Sequence, residues 1–150
     1  MDAVTYPDPK VIKFLHQNFI PLRVPFDAKP LAADFNVKWT PTLITLSADG
    51  KEHHRTVGFL GPEELVASLL LGLGKLFFDN EKFNEALKHL DKLLSDYAKS
   101  DSAPEAIYFR GVCRYKNTHD PKPLKEGYEK LQAEYPLSEW TKRAYPYRLL

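Results

Sequence analysis

The pattern of apolar residues changes character at Gly61-Pro62, and that change restricts the fold more than any other feature of the chain. Before it, short alternating apolar stretches are separated by prolines and an Asp-Gly turn; after it, the apolar residues keep a helical period with little interruption. Gly61-Pro62-Glu63-Glu64 is a helix start, with proline at the first helical position and two carboxylates facing the positive end of the helix dipole. Leu65, Leu69, Leu70, Leu73, Leu76 and Phe77 carry the pattern to Asp79-Asn80, which predicts one helix over residues 62–79. That helix ends a front part, residues 1–72, and begins a back part, residues 62–150, so the two parts share it.

The back part repeats itself. Ile107, Gly111 and Tyr115 repeat the first helix about 37 residues on, and Tyr97-Ala98-Lys99-Ser100 matches Tyr135-Pro136-Leu137-Ser138 at an offset of 38. Leu90 and Leu93 stand against Tyr128 and Leu131 in the same frame. Large residues at these positions fill the space between paired helices and small ones let the helices approach. Ser102-Ala103-Pro104-Glu105 has the form of a capping box, so a helix is expected from Ala103, and residues 139–145 are expected to form a short last helix ended by Pro146. The arrangement of Leu70, Leu73, Gly74, Phe77 and Ala86 resembles the tetratricopeptide (TPR) repeat, slightly lengthened. The resemblance implies stacked helical hairpins with a concave groove for a peptide or protein partner, to which Tyr108, Arg110 and Arg114 would contribute.

In the front part, Asp8-Pro9 opens a helix whose Val11, Leu15 and Phe19 form one stripe. Residues 20–26, Ile-Pro-Leu-Arg-Val-Pro-Phe, alternate strictly and predict a strand with Ile20, Leu22, Val24 and Phe26 on one face. Pro21 and Pro25 lack the N–H that a ladder needs, so the side to which they point is an outer edge. Thr40-Pro41-Thr42 then precedes an apolar strand over 43–46, a turn over 48–51 and a second strand over 52–59. Proline placed just before such a strand is a candidate for a cis bond.

Trp39-Thr40-Pro41-Thr42, followed by strand, Asp-Gly turn and strand, resembles the back half of a thioredoxin-like domain. The expected fold is therefore α/β plus all-α: a truncated thioredoxin-like sheet-and-helix domain joined through a shared helix to TPR-like hairpins. The resemblance implies a substrate- or peptide-facing role for Trp39, Thr40 and Pro41. The family's first strand and its CxxC are not in the sequence, which holds one cysteine, Cys113. In the family that strand lies between the partners equivalent to residues 20–26 and 42–47. Its absence leaves two inner edges, which must either pair with each other or borrow a strand; borrowing, in a homodimer through exposed strand edges, is the favoured expectation.

Composition excludes several classes. The net charge is +1 with no basic stripe, against nucleic-acid binding, and the longest apolar stretch is broken by Ser68, Gly72, Gly74 and Lys75, against a membrane span. The first residues lack the basic and apolar regions of a secretory signal and a lone cysteine forms no internal disulfide, so a soluble cytoplasmic protein is expected. His53 and His54 are neighbours in a strand, should face opposite ways and should not share a metal; Cys113 is expected to be a packed thiol. Turn and cap duties account for Asp49, Glu52, Glu63 and Glu64. No catalytic residue, metal site or cofactor is expected. Three functions follow: a non-catalytic protein–protein interaction protein, the C-terminal part of a longer thiol-disulfide oxidoreductase whose CxxC precedes Met1, or a structural dimerisation module.

Overall fold

The computed structural model describes all 150 residues. Helix α1 (Pro9–Asn18) starts where expected: the Asp8 carboxylate accepts the N–H groups of Lys10 at 2.8 Å and Val11 at 3.4 Å, and Pro9 follows it. A short helix α2 (Leu31–Asp34) precedes strands β1 (Thr42–Leu46) and β2 (Glu52–Val57), which form an antiparallel two-stranded sheet. β2 is shorter than the sequence suggests, because Gly58 turns the chain with φ +104° before residue 59 is reached. The Thr40–Pro41 bond is cis, as is Lys29–Pro30.

Residues 20–26 form no strand, which corrects the expectation drawn from their alternation. No backbone hydrogen bond involves the N–H of Ile20, Leu22, Val24 or Phe26, and Ile20 is 98% exposed. An extended segment becomes a strand only when a neighbour completes its ladder, and none lies beside it. The two inner edges therefore have not closed on each other. Arg23 instead reaches Asp2 with two hydrogen bonds of 3.0 Å.

Helix α3 (Pro62–Asp79) is covered on all sides over ten consecutive residues, Leu65 to Gly74, because it is packed by two different partners. On one side a Cβ at Gly72 would lie 2.6 Å from Thr45 Oγ1 and 3.4 Å from the Cβ of His54, so the helix sits directly on the hairpin. On another side a Cβ at Gly74 would lie 2.7 Å from the Cδ2 of Leu90 in helix α4 (Phe83–Asp96). Helix α1 rests on α3 through Val11, and the Thr5 hydroxyl donates to the Leu60 carbonyl at 2.6 Å. One buried cluster runs from Val11 through the α3 leucines to Leu90, Leu93, Ala106 and Cys113, crossing from the front part into the back.

Beyond α4 the chain continues as α5 (Ala103–Thr118), α6 (Lys122–Glu134) and α7 (Glu139–Ala144). Short connections make α3–α4 and α5–α6 helical hairpins. The Ser102 capping box does not form: Ser102 makes no capping bond, and Glu105 leaves the helix end to pair with Lys75 of α3 at 2.8 Å. Ser102 has helical backbone angles, φ −79° and ψ −16°, rather than the extended ones of a capping residue. Pro146 does not end the last helix cleanly either; α7 stops at Ala144 and the chain tightens into a 3₁₀ turn over Tyr145–Leu149 that contains the proline. There the missing N–H of proline falls in the first turn, where it costs nothing.

Candidate functional site

The loop before β1 is built from backbone constraints. Thr42 Oγ1 donates to the Trp39 carbonyl at 2.6 Å, and the Pro41 carbonyl accepts the Gly58 N–H at 2.9 Å, which ties the cis bond to the end of β2. The Trp39 side chain projects into solvent, 75% exposed, with Thr40 exposed beside it. The structure thus brings Trp39, Thr40 and Pro41 together at one end of β1.

The bond between Gly58 and Pro41 also fixes the phase of the ladder. Antiparallel pairs alternate between bonded and non-bonded, so with Pro41 opposite Gly58 bonded, Leu43 and Thr45 turn their backbone groups toward β2. Thr42 and Ile44 turn theirs the other way, where nothing in the chain meets them. That outer edge of β1 is uncharged. The outer edge of β2 differs: Arg55 is clamped by Glu52 at 2.6 and 2.7 Å and donates to the Phe35 carbonyl at 2.7 Å, and the strand is bulged.

The bulge corrects the reading of the two histidines. Thr45 pairs with His54 while Leu46 pairs with Glu52, which makes His53 the extra residue and turns it to the same side as His54. Both meet α3, but at different points along it. His53 Nδ1 lies 2.6 Å from Asp79 Oδ2 and its Nε2 lies 3.0 Å from Ser47 Oγ, which in turn hydrogen-bonds Asp49. His54 Nε2 lies 3.0 Å from Ser68 Oγ. Burial, and then the charge of Lys75, pushes the His54 pKa down to about 4. The Asp–His–Ser chain through His53 ties the hairpin turn to the end of α3. No group of acidic, His and Cys side chains is placed to hold a metal. Glu64, expected to serve the helix start, accepts the Asp101 N–H at 3.1 Å instead, and burial raises its pKa.

Tyr108, Arg110 and Arg114 fall on different faces of α5. Tyr108 stacks on Tyr147 and meets Trp140 at a tilt, with ring centroids 6.0 and 5.3 Å away. Arg110 and Arg114 instead turn to Asp91 of α4: Arg110 Nε is 2.6 Å from Asp91 Oδ1, close enough for charge attraction but not aligned as a hydrogen bond, and Arg114 is at 3.9 Å. A different set spans the helices. Phe78, Phe109 and Trp140 come from α3, α5 and α7 and form a half-buried ladder, with centroids 5.1 and 5.9 Å apart. Lys75 stands over Phe109 and Arg143 over Trp140. The three ladder residues are spaced 31 apart, from 78 to 109 to 140, and this equal spacing is the sequence signal that marks the ladder. Cys113 is fully buried, and burial followed by the charge of Asp91 raises its pKa to about 12, so its sulfur is held as a thiol.

An antiparallel ribbon entered through a cis-proline, with helix α3 on one face carrying α1 behind it and the α2 segment reached by Arg55 on the other, defines a thioredoxin-like α/β unit built onto helical hairpins. Residues 1–72 match the family described as thioredoxin-like domain, and this stretch of the chain is a thioredoxin-like domain. No curated protein and no solved structure matches the chain. No helix is long and apolar enough to cross a membrane.

Proposed function

We propose that the protein is a non-catalytic, cytoplasmic interaction protein whose thioredoxin-like domain accepts an extended strand along the outer edge of β1. The observation that carries this reading is the edge itself: Thr42 and Ile44 present free N–H and C=O groups beside the cis Pro41 and the exposed Trp39. An extended polypeptide laid there gains main-chain hydrogen bonds and a contact with the indole, the mode of β-strand addition. The helical hairpins, TPR-like in spacing, offer a second surface through Phe78, Phe109 and Trp140. The only thiol, Cys113, supports the non-catalytic reading, since a disulfide cycle needs two sulfurs and a thiolate. The test is a titration with a peptide of alternating threonine and valine flanked by lysines, followed by amide exchange and Trp39 fluorescence. Slowed exchange at Thr42 and Ile44 is expected; unchanged amides and an unchanged indole signal would sink the reading.

A second reading rests on the same edge. In the family that these residues resemble, the strand leading to CxxC occupies the place beside β1, close to the cis-proline. A preceding segment filling that place would make the native product a thiol-disulfide oxidoreductase with a helical partner-binding extension. The intact mass of the protein from its native source separates the two. A mass a few kilodaltons above 17.2 kDa, with a CxxC in the added residues, supports the oxidoreductase; a native mass of 17.2 kDa removes it.

A further inference from the structure

Two strand edges lie unused in this protein, and their hydrogen-bonding faces are complementary. One is the outer edge of β1, five residues reading Thr-Leu-Ile-Thr-Leu with no charge, proline or glycine to discourage pairing. The other is the segment 20–26, whose Ile20, Leu22 and Phe26 are 98%, 80% and 70% exposed. When that segment is extended, residues 20, 22, 24 and 26 direct their N–H groups to one side, while Pro21 and Pro25 occupy the other. One side can pair and the other cannot.

We propose that two copies of the chain exchange these elements: residues 20–26 of each copy lie antiparallel along β1 of the other, through the N–H groups of Leu22 and Val24. The sheet of each copy then runs β2, β1, borrowed segment. Its new outer edge is the proline side, which cannot recruit a further strand, and its old one is the bulged β2 edge bearing Arg55 and Glu52. Exchange thus closes the assembly at two copies. Direct pairing of β1 with a second β1 would leave the apolar side chains of 20–26 in water. Pairing with the chain's own β1 is not formed; Arg23 meets Asp2 instead.

This inference rests on β1 being a strand acceptor, and the test separates the two. The full chain and two variants, Val24→Pro and Ile44→Pro, are compared by size-exclusion chromatography with light scattering at about 50 µM, where mass action favours association. The N–H removed by Val24→Pro bonds to nothing within one chain, so this variant keeps the monomer fold and changes only the lent strand. Ile44→Pro removes an outward N–H of the accepting strand. The wild-type protein is expected at twice 17.2 kDa and each variant at 17.2 kDa, its dimer weakened at least about tenfold. An equimolar mixture of the variants restores one of the two contacts, lent by the Ile44→Pro copy and accepted by the Val24→Pro copy, and should associate more strongly than either variant alone. A monomeric wild type or a Val24→Pro protein that still dimerises would overturn the exchange. A monomeric wild type that still binds the threonine–valine peptide would overturn the exchange alone and leave the acceptor reading standing.

Discussion

His54 gives the molecule a specific acid sensitivity. Its imidazole lies between β2 and α3, against Ser68 Oγ at 3.0 Å, with the charge of Lys75 opposing its protonation and Glu52 more weakly favouring it. Burial lowers its pKa from the usual 6.5 to about 4. A base whose folded pKa is depressed takes up a proton more readily when unfolded, so in the window between about pH 6.5 and 4 the unfolded chain binds more protons and stability falls as pH falls. The linkage relation applied to those two values, discounted for residual screening at this partly accessible site, gives a loss of about 2 kcal/mol between about pH 7.5 and 4.5. His54→Gln keeps a partner for Ser68 and removes the titration. Urea unfolding of both proteins at the two pH values isolates the residue from the other groups that titrate there, including His89, whose pKa burial also lowers. The wild type should lose about 2 kcal/mol more than the variant on acidification. Equal losses would refute a neutral, buried His54.

Three further outcomes are expected. The 150-residue chain should reduce insulin disulfides in the presence of dithiothreitol no faster than its Cys113→Ser variant, and a clear difference would give the buried thiol a role it lacks in this geometry. Gly72→Ala puts a methyl 2.6 Å from Thr45 Oγ1 and should destabilise by about 1 kcal/mol net of its helix propensity, whereas Gly127→Ala, whose nearest neighbour is 3.7 Å away, should stabilise by up to about 1 kcal/mol in thermal melts. Leu73→Pro should cost about 3 kcal/mol or more and abolish sheet and helix signals in one transition, since both pack on α3; two separate transitions would count against a common core.

Local chemistry was legible in the sequence wherever it acted alone. Asp8-Pro9 and Gly61-Pro62 begin helices where the caps say they should, and the threonines around Pro41 mark the cis loop. The sequence misled where a distant partner decided the outcome. Residues 20–26 have the alternation of a strand but no neighbour, Glu105 of the expected capping box pairs with Lys75 of α3, and His53 and His54 share a side because of a bulge that no residue type announces. In the candidate site, Trp39, Thr40 and Pro41 could be placed from the order of elements alone. The polarity of the β1 edge could not, because it depends on which pair of the ladder is bonded.

The two close approaches of α3 have a consequence for how such a chain can change length. Gly72 meets the hairpin and Gly74 meets α4, and two residues of helix separate them by about 200° of rotation. A single residue inserted or deleted between them would turn one contact about 100° away from its seat while the other stayed in place. This helix is therefore a phase lock: insertions can accumulate in its flanking loops, but the spacing of the two glycines sets the orientation of everything after residue 79 relative to everything before residue 62.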